Sequence, residues 1–427
     1  MHTPRPAAAP FPVTWWRSLG ALTRSGSAAE GLSWALYDFA NTIFSFAIVS
    51  YAMSLWAIKF LGEADGQFAF TLAFSASVLV NAAVSPVLGA MSDRVGQRKG
   101  FLLVFTVICI VATMLIGLVD IGVGLLAFAV ANFAYQAALI YYDALLPDVA
   151  RPETQGRLSG IGVALGYMGS IVSGLLFKLT TDANGDSTVA SFLLVGSLFA
   201  LFAIPLFVRA RERQARGRFN AVDALRSWAQ LRETIRHARE TPGLLRFVVG
   251  RFFYSDPINT AIVVMSAFAT QAVGFSAAAA LNILLVLIVV AVVASFGWGI
   301  LVDQLGAKRT LLLVLASWTA GLLLLGLWLA PVPFLIAGAV LGSGLGGVAV
   351  TDRLLLIRLS PPERLGEMLG LYGLAGKFSA VIGPLLYGFL VRALLPVLDH
   401  GAYQVAVLSL LVLMLIGYAI VRTVPEP

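Results

Sequence analysis

The chain alternates long apolar runs with short polar breaks. Twelve runs, at 27–60, 67–91, 100–119, 123–146, 157–179, 188–209, 244–272, 276–302, 310–330, 333–356, 364–392 and 402–422, each reach the ~20 residues that a helix needs to cross a bilayer. The pattern therefore predicts twelve membrane-spanning helices. The polar breaks are of two kinds. Every second one is basic. The N-terminal tail and the segments 92–99, 147–157, 209–246, 303–309, 357–364 and 422–427 hold most of the 29 Lys and Arg residues, whereas the loops 61–66, 120–122, 180–187, 273–275, 331–332 and 393–401 hold none. Basic loops stay in the cytoplasm. The expected order is a cytoplasmic tail (1–26), six spans (27–209), a cytoplasmic linker (210–243), six more spans (244–422) and a cytoplasmic tail (423–427).

Composition supports an all-α polytopic membrane protein. Of 427 residues, 59% are hydrophobic and 12% charged, which no soluble globular domain matches. The single cysteine, Cys109, excludes an intrachain disulfide, and His2, His237 and His400 all fall outside the spans, so no metal or other cofactor is expected. The Pro/Ala-rich N-terminus reads as a retained tail. The net charge of +7 follows from topology, so no nucleic-acid partner is expected. In the linker, Val222, Leu225, Trp228, Ala229, Leu231 and Ile235 alternate with arginines, which predicts an amphipathic helix lying on the inner leaflet. Short outer loops and the lack of a phosphate-binding G-x-x-x-x-G-K-[ST] motif argue against an enzyme and an ATP-driven pump.

The two halves repeat. GAMSDRVGQRK (89–99) matches GILVDQLGAKR (299–309), and DVARPETQGRLSG (148–160) matches RLSPPERLGEMLG (358–370). YDFANT (37–42) matches YSDPINT (254–260). Three matches in the same order point to duplication, and paired six-span repeats are a transporter architecture. The 89–99 segment resembles the signature of the major facilitator superfamily at Gly89, Asp93, Arg94, Gly96, Arg98 and Lys99, with a weaker copy at Gly299, Asp303, Gly306 and Lys308. That resemblance implies two pseudo-symmetric six-helix bundles. It also implies a cytoplasmic gate at these residues, latched when the outer side is open. WALYDFANTIF (34–44), SDRVGQRKGFL (92–102) and the 141–170 segment resemble the vacuole-effluxer branch, whose eukaryotic members are associated with export of neutral amino acids from vacuoles. Glycoside–pentoside–hexuronide cation symporters are the nearest rival. The glycine-rich spans 5 and 11 are expected to pack backbone to backbone.

Ionisable and polar residues inside spans are candidate functional groups. Helical spacing places Asp38, Asn41, Thr42 and Ser45 on one stripe of span 1, and Asp256, Asn259 and Thr260 on one stripe of span 7, where Pro257 should bend the helix. Asn132, Tyr135, Gln136, Tyr142 and Asp143 form a stripe on span 4 that should face water or substrate. Thr351, Asp352 and Arg353 mark span 10. Arg251 and Lys377 are the intramembrane cations. In one reading Lys377 or Arg251 holds a substrate carboxylate, while Asp38 or Asp256 takes the amino group or a coupling proton. In the other, Asp256 forms a buried ion pair with Lys377 or Arg251. Together these features predict a secondary transporter of a small polar, amino-acid-like solute. It should be proton-coupled and monomeric, working by alternating access in a bacterial plasma membrane. A cation-coupled sugar symporter and a non-transporting scaffold or receptor are the alternatives.

Overall fold

The computed structural model describes residues 21–23, 25–95, 97–151, 154–182, 185–211 and 221–426. Thirteen long helices account for most of them: α1 (Ala28–Leu61), α2 (Glu63–Val95), α3 (Arg98–Leu115), α4 (Ile121–Val149), α5 (Gln155–Phe177), α6 (Val189–Arg209), α7 (Ala221–Glu240), α8 (Leu244–Ala267), α9 (Ala277–Leu305), α10 (Ala307–Leu327), α11 (Pro331–Leu359), α12 (Leu365–Leu398) and α13 (Gly401–Arg422). Eleven are long and apolar enough to cross a membrane. Of the other two, α7 lies in the linker. The second, α8, has the length but carries Arg246, Arg251 and Asp256 in its apolar run. It runs unbroken through Pro257 and ends in a π-helical turn, Phe268–Ala272. A matching π segment, Ser45–Ala52, interrupts α1.

Helix pairing repeats between the halves. In the first half α1 packs on α5 and α6, and α4 packs on α2 and α3. In the second half α8 packs on α12 and α13, and α11 packs on α9 and α10. The same contacts recur because the same apolar and small-residue faces recur in sequence. Turns between helices are tight where the chain must reverse at once. Gly62 (φ +80°) separates α1 from α2, and Gly306 (φ +83°) separates α9 from α10, conformations that only glycine adopts without strain. Two helices outrun their expected ends. The eleventh span continues past 392 to Leu398 because Arg392 is not left in lipid: it pairs with Asp65 at 2.7 Å and lies over Phe68. The second span begins at Glu63, directly after the Gly62 turn.

The halves meet mainly along α2 and α12. These helices are joined from their middles, where Lys377 donates to Asn81 Oδ1 and Ser85 Oγ at 3.0 Å each, to the end away from the linker, where Gly388 lies against Thr71 and Phe68. Toward the linker end they separate. Among the described residues, no atom comes within 4 Å of where a Cβ would stand on Gly89, Gly156, Gly160, Gly297, Gly299, Gly370 or Gly373. The glycine-rich spans are therefore tightly packed only in their other halves, backbone to backbone at Gly169 against Phe39 O, and against the Thr260 and Asp256 side chains at Gly383. The linker-end glycines face open space because the bundle is splayed there.

Candidate functional site

The splayed end encloses a cavity of ≈ 640 Å³. It is walled by α2 (Ser85, Pro86, Gly89), α4 (Gln136, Asp143) and α12 (Gly370, Gly373, Lys377), and its mouth is covered by α7 through Gln230, Leu231 and Thr234. Asp143 and Lys377 bring opposite charges to one space, and Asp143 is exposed within it. Among the described residues neither makes an ion pair within 4 Å. Lys377 is steered by Asn81 and Ser85, neutral acceptors, and feels Asp143 only across the cavity. The sequence spacing named Lys377, Asp143 and Gln136 as site residues. Asn81 and Ser85 were not named, although both are polar residues inside the apolar run of span 2.

The stripe expected on span 4 is divided. Asn132 is fully buried and donates to Ser77 Oγ at 2.8 Å, tying α4 to α2. Tyr142 is stacked on Trp34 (4.5 Å) and Tyr37 (5.0 Å), and Tyr135 packs on Phe44. Only Gln136 and Asp143 line the cavity. A face about 120° wide is broader than one neighbour on a packed helix, so its edges turn into helix–helix contacts.

Asp38 and Asp256 do not line this cavity. Each is pressed on a glycine of its own half: Asp38 lies beside Gly162 of α5, and Asp256 beside Gly383 of α12. The Gly383 N–H donates to Asp256 Oδ1 at 2.8 Å, while Asp256 Oδ2 is buried with no partner. One turn on, Thr42 donates to Gly166 O at 2.6 Å, and Thr260 lies against Gly383. The repeated Asp and Thr thus sit at equivalent places, four residues apart on one helix face. Asn41 is buried with its Oδ1 unpartnered, and Asn259 donates to Ser379 at 3.5 Å.

The expected pairing of Asp256 with Arg251 or Lys377 is not formed. Arg251 Nε donates to Asp352 Oδ2 at 2.8 Å, and its Nη1 donates to Tyr372 O at 2.9 Å. Its guanidinium lies 3.6 Å from the Tyr372 ring centroid. Tyr254 and Tyr372 donate to the two Asp352 oxygens at 2.5 and 2.9 Å. Five residues apart, Arg251 and Asp256 lie on different faces of α8, and Arg251 faces α11 and α12 instead. The cluster ties α8, α11 and α12 together.

The signature residues fall into three groups. Gly89 and Gly299 face open space, as described above. Arg98 donates to Ala144 O (2.8 Å) and Asp148 (3.1 Å), and Lys99 to Ala210 O (2.9 Å). These two cations therefore fasten α3 to α4 and α6 within one half. Gly306 makes the α9–α10 turn, Asp303 is exposed and Lys308 half-buried. The side chains of Asp93 and Arg94, and all of Gly96, lie outside the described residues, as do Pro152 and Glu153.

The opposite end is shut by residues that no sequence pattern marked. Ser54 and Ser266 share a hydrogen bond of 2.9 Å between α1 and α8. Tyr51 donates to Gly185 O and Ala277 O, and within the first half Lys59 pairs with Asp182 (3.2 Å) and Asp186 (2.8 Å). Below, α7 docks on the bundle, with His237 Nδ1 2.9 Å from Glu367 Oε1. It touches α2, α8 and α12, with Leu231 half-buried and Ala238 buried, while Ala229 and Ile235 are exposed; the side chains of Val222, Leu225 and Trp228 lie outside the described residues.

Comparison with known proteins agrees with this architecture. Residues 57–426 match the family described as vacuole effluxer Atg22-like. An uncharacterized MFS-type transporter, YxiO of Bacillus subtilis, is 27% identical over 92% of this chain and 94% of its own. Autophagy-related protein 22 of Candida glabrata is 24% identical over 74% of this chain and 70% of its own. Among solved structures, the nucleoside transporter NupG superposes with a TM-score of 0.70 at 13% identity, covering 92% of this chain and 98% of that one. A bacterial homologue of the lysosomal transporter Spinster gives 0.69 at 15%, covering 96% and 98%. The chain belongs to the vacuole effluxer Atg22-like family and is a multi-pass membrane transporter of the major facilitator type.

Proposed function

We propose that the protein moves a small zwitterionic, amino-acid-like solute by alternating access, coupled to protons. The observation that carries the reading is the cavity holding Asp143 and Lys377 without an ion pair between them. A carboxylate and an ammonium kept apart in one enclosed space suit a ligand with the complementary pair of charges, Lys377 taking its carboxylate and Asp143 its amino group. A sugar would leave both charges unmatched. Proton coupling is assigned to Asp38, half-buried, and Asp256, fully buried, two carboxylates that do not line the cavity. Asp256 has one oxygen held and the other free. The distribution of Lys and Arg in the sequence puts the linker and both termini in the cytoplasm, so the cavity opens inward.

The test is uptake into liposomes by the purified protein, with a panel of amino acids and sugars, with and without a pH gradient. Amino-acid uptake driven by the gradient is expected. Uptake of sugars alone would overturn the substrate reading, and gradient-independent uptake would overturn coupling.

A further inference from the structure

At the end away from the linker, α2, α12 and α13 enclose a second polar cluster, separate from the cavity. Glu63 and Gln67 lie one turn apart on α2, and Thr71, a turn further, touches Gly388 of α12. That contact fixes which face of α2 meets α12. From α12 comes Tyr387 and from α13 Tyr403, their rings 6.3 Å apart. Gln67, Tyr387 and Tyr403 are fully buried. Yet Glu63 Oε1, both ends of the Gln67 amide, and the Tyr387 and Tyr403 hydroxyls are all buried without a hydrogen-bond partner. Tyr403 lies close enough to Glu63 for the two side chains to interact.

Five unpartnered polar atoms in one buried place are exceptional, because native structures satisfy nearly all such groups. Four of the five are oxygens and one carries a formal negative charge. The charged groups nearby do not neutralise it at contact: His400 Nδ1 stands 3.9 Å from Glu63 Oε1, Asp65 is taken by Arg392, and Asp399 is exposed. An all-oxygen donor set attracts hard cations. A single carboxylate suits one positive charge better than two, and among the described residues no group of three acidic, His or Cys side chains could hold a multivalent metal.

We infer that Glu63, Gln67, Tyr387 and Tyr403 bind a sodium ion between the two halves of the transporter. Its ligands come from α2 on one side and from α12 and α13 on the other. The site is therefore complete only while these ends are together, and sodium favours the state closed at this end.

The experiment measures sodium binding to the purified full-length protein in detergent without any solute, so its outcome is independent of the substrate reading. Equilibrium binding of radiolabelled sodium should saturate at one ion per chain and resist competition by potassium or choline. Replacing choline by sodium at about 100 mM should raise the melting temperature, since a ligand that binds only the folded state stabilises it. Glu63→Gln and Gln67→Leu should each lose most of that rise. Labelling of a cysteine placed at Gly373, in the open end, by a membrane-impermeant maleimide should speed up with sodium. Absence of saturable binding to the unmodified protein, or equal effects of sodium, potassium and choline, would show that the cluster holds water only and overturn the inference whether or not the variants fold. A sodium effect that survives in both variants would place the ion elsewhere and overturn it too.

Discussion

At the scale of single residues, Lys377 and Asp143 have opposite expected roles in binding, and substitution separates them. Lys377→Gln removes a charge-assisted hydrogen bond of about 1.5–3 kcal/mol, which should raise KM for an amino acid by roughly ten- to a hundred-fold. It should leave affinity for the corresponding amine, lacking the carboxylate, unaffected. Asp143→Asn should show the reverse selectivity. Transport assays with amino-acid, amine and acid analogues decide this, and equal losses for all three would refute the assignment. Arg251 behaves differently, because its partners are all protein groups. Arg251→Met leaves Asp352 buried at 2% exposure with no counter-charge and should destabilise by about 3–5 kcal/mol. Thermal melting of this variant and of Arg251→Met with Asp352→Leu, which should recover most of the loss, checks it. Much of this was legible in the sequence, since an ionisable residue in an apolar run announces itself. Its partner was not. The sequence offered Asp256 as the partner of Lys377 or Arg251, but the choice of Asp352 from α11 depends on a helix crossing that no local pattern encodes.

At the scale of helices, twelve spans followed from apolar run length, the one containing Arg251 and Asp256 among them although its charges lower its hydropathy. The π turns of α1 and α8 left no trace in the pattern, because one extra residue per turn shifts a hydrophobic face without changing its composition. The division of the α4 stripe was equally hidden, since burial against Ser77 or Trp34 and exposure to the cavity both use polar side chains. Glycine spacing correctly marked helices that approach closely but not where along them they do so. The α2–α12 contact shows the difference. At Gly388 a side chain would collide with Thr71 and the Phe68 backbone, whereas at Gly373 it would meet nothing. Gly388→Leu should therefore cost about 1–3 kcal/mol of stability by overpacking and part the helices at that end. Gly373→Ala should be close to neutral, or stabilising through helix propensity. Melting temperatures of the two variants test the asymmetry, and similar losses in both would count against it.

At the scale of the whole molecule, one end is sealed by Tyr51, Ser54 and the α2–α12 contact, and the other is splayed over a cavity with α7 across its mouth. A carrier of this kind must also visit the opposite arrangement, in which the glycines now facing open space close on one another and the sealed end parts. Lys59 with Asp182 and Asp186 lies wholly within the first half, joining α1 to the α5–α6 loop, and survives when the halves part. Lys59→Gln should therefore leave the balance between the two states unchanged, whereas groups that bridge the halves should shift it. Tyr51→Phe, which loses the one hydroxyl hydrogen shared between the Gly185 and Ala277 carbonyls and with it the bond across the halves to Ala277, should shift it by about 1 kcal/mol. The chain offers a convenient background for measuring this, since its only cysteine, Cys109, is fully buried. With one cysteine placed at Gly373 and another, in a separate variant, at Ser266, the maleimide reactivities report the two ends. Tyr51→Phe should slow labelling at Gly373 and accelerate it at Ser266. Changes in the same direction at both positions would mean that the two ends do not alternate.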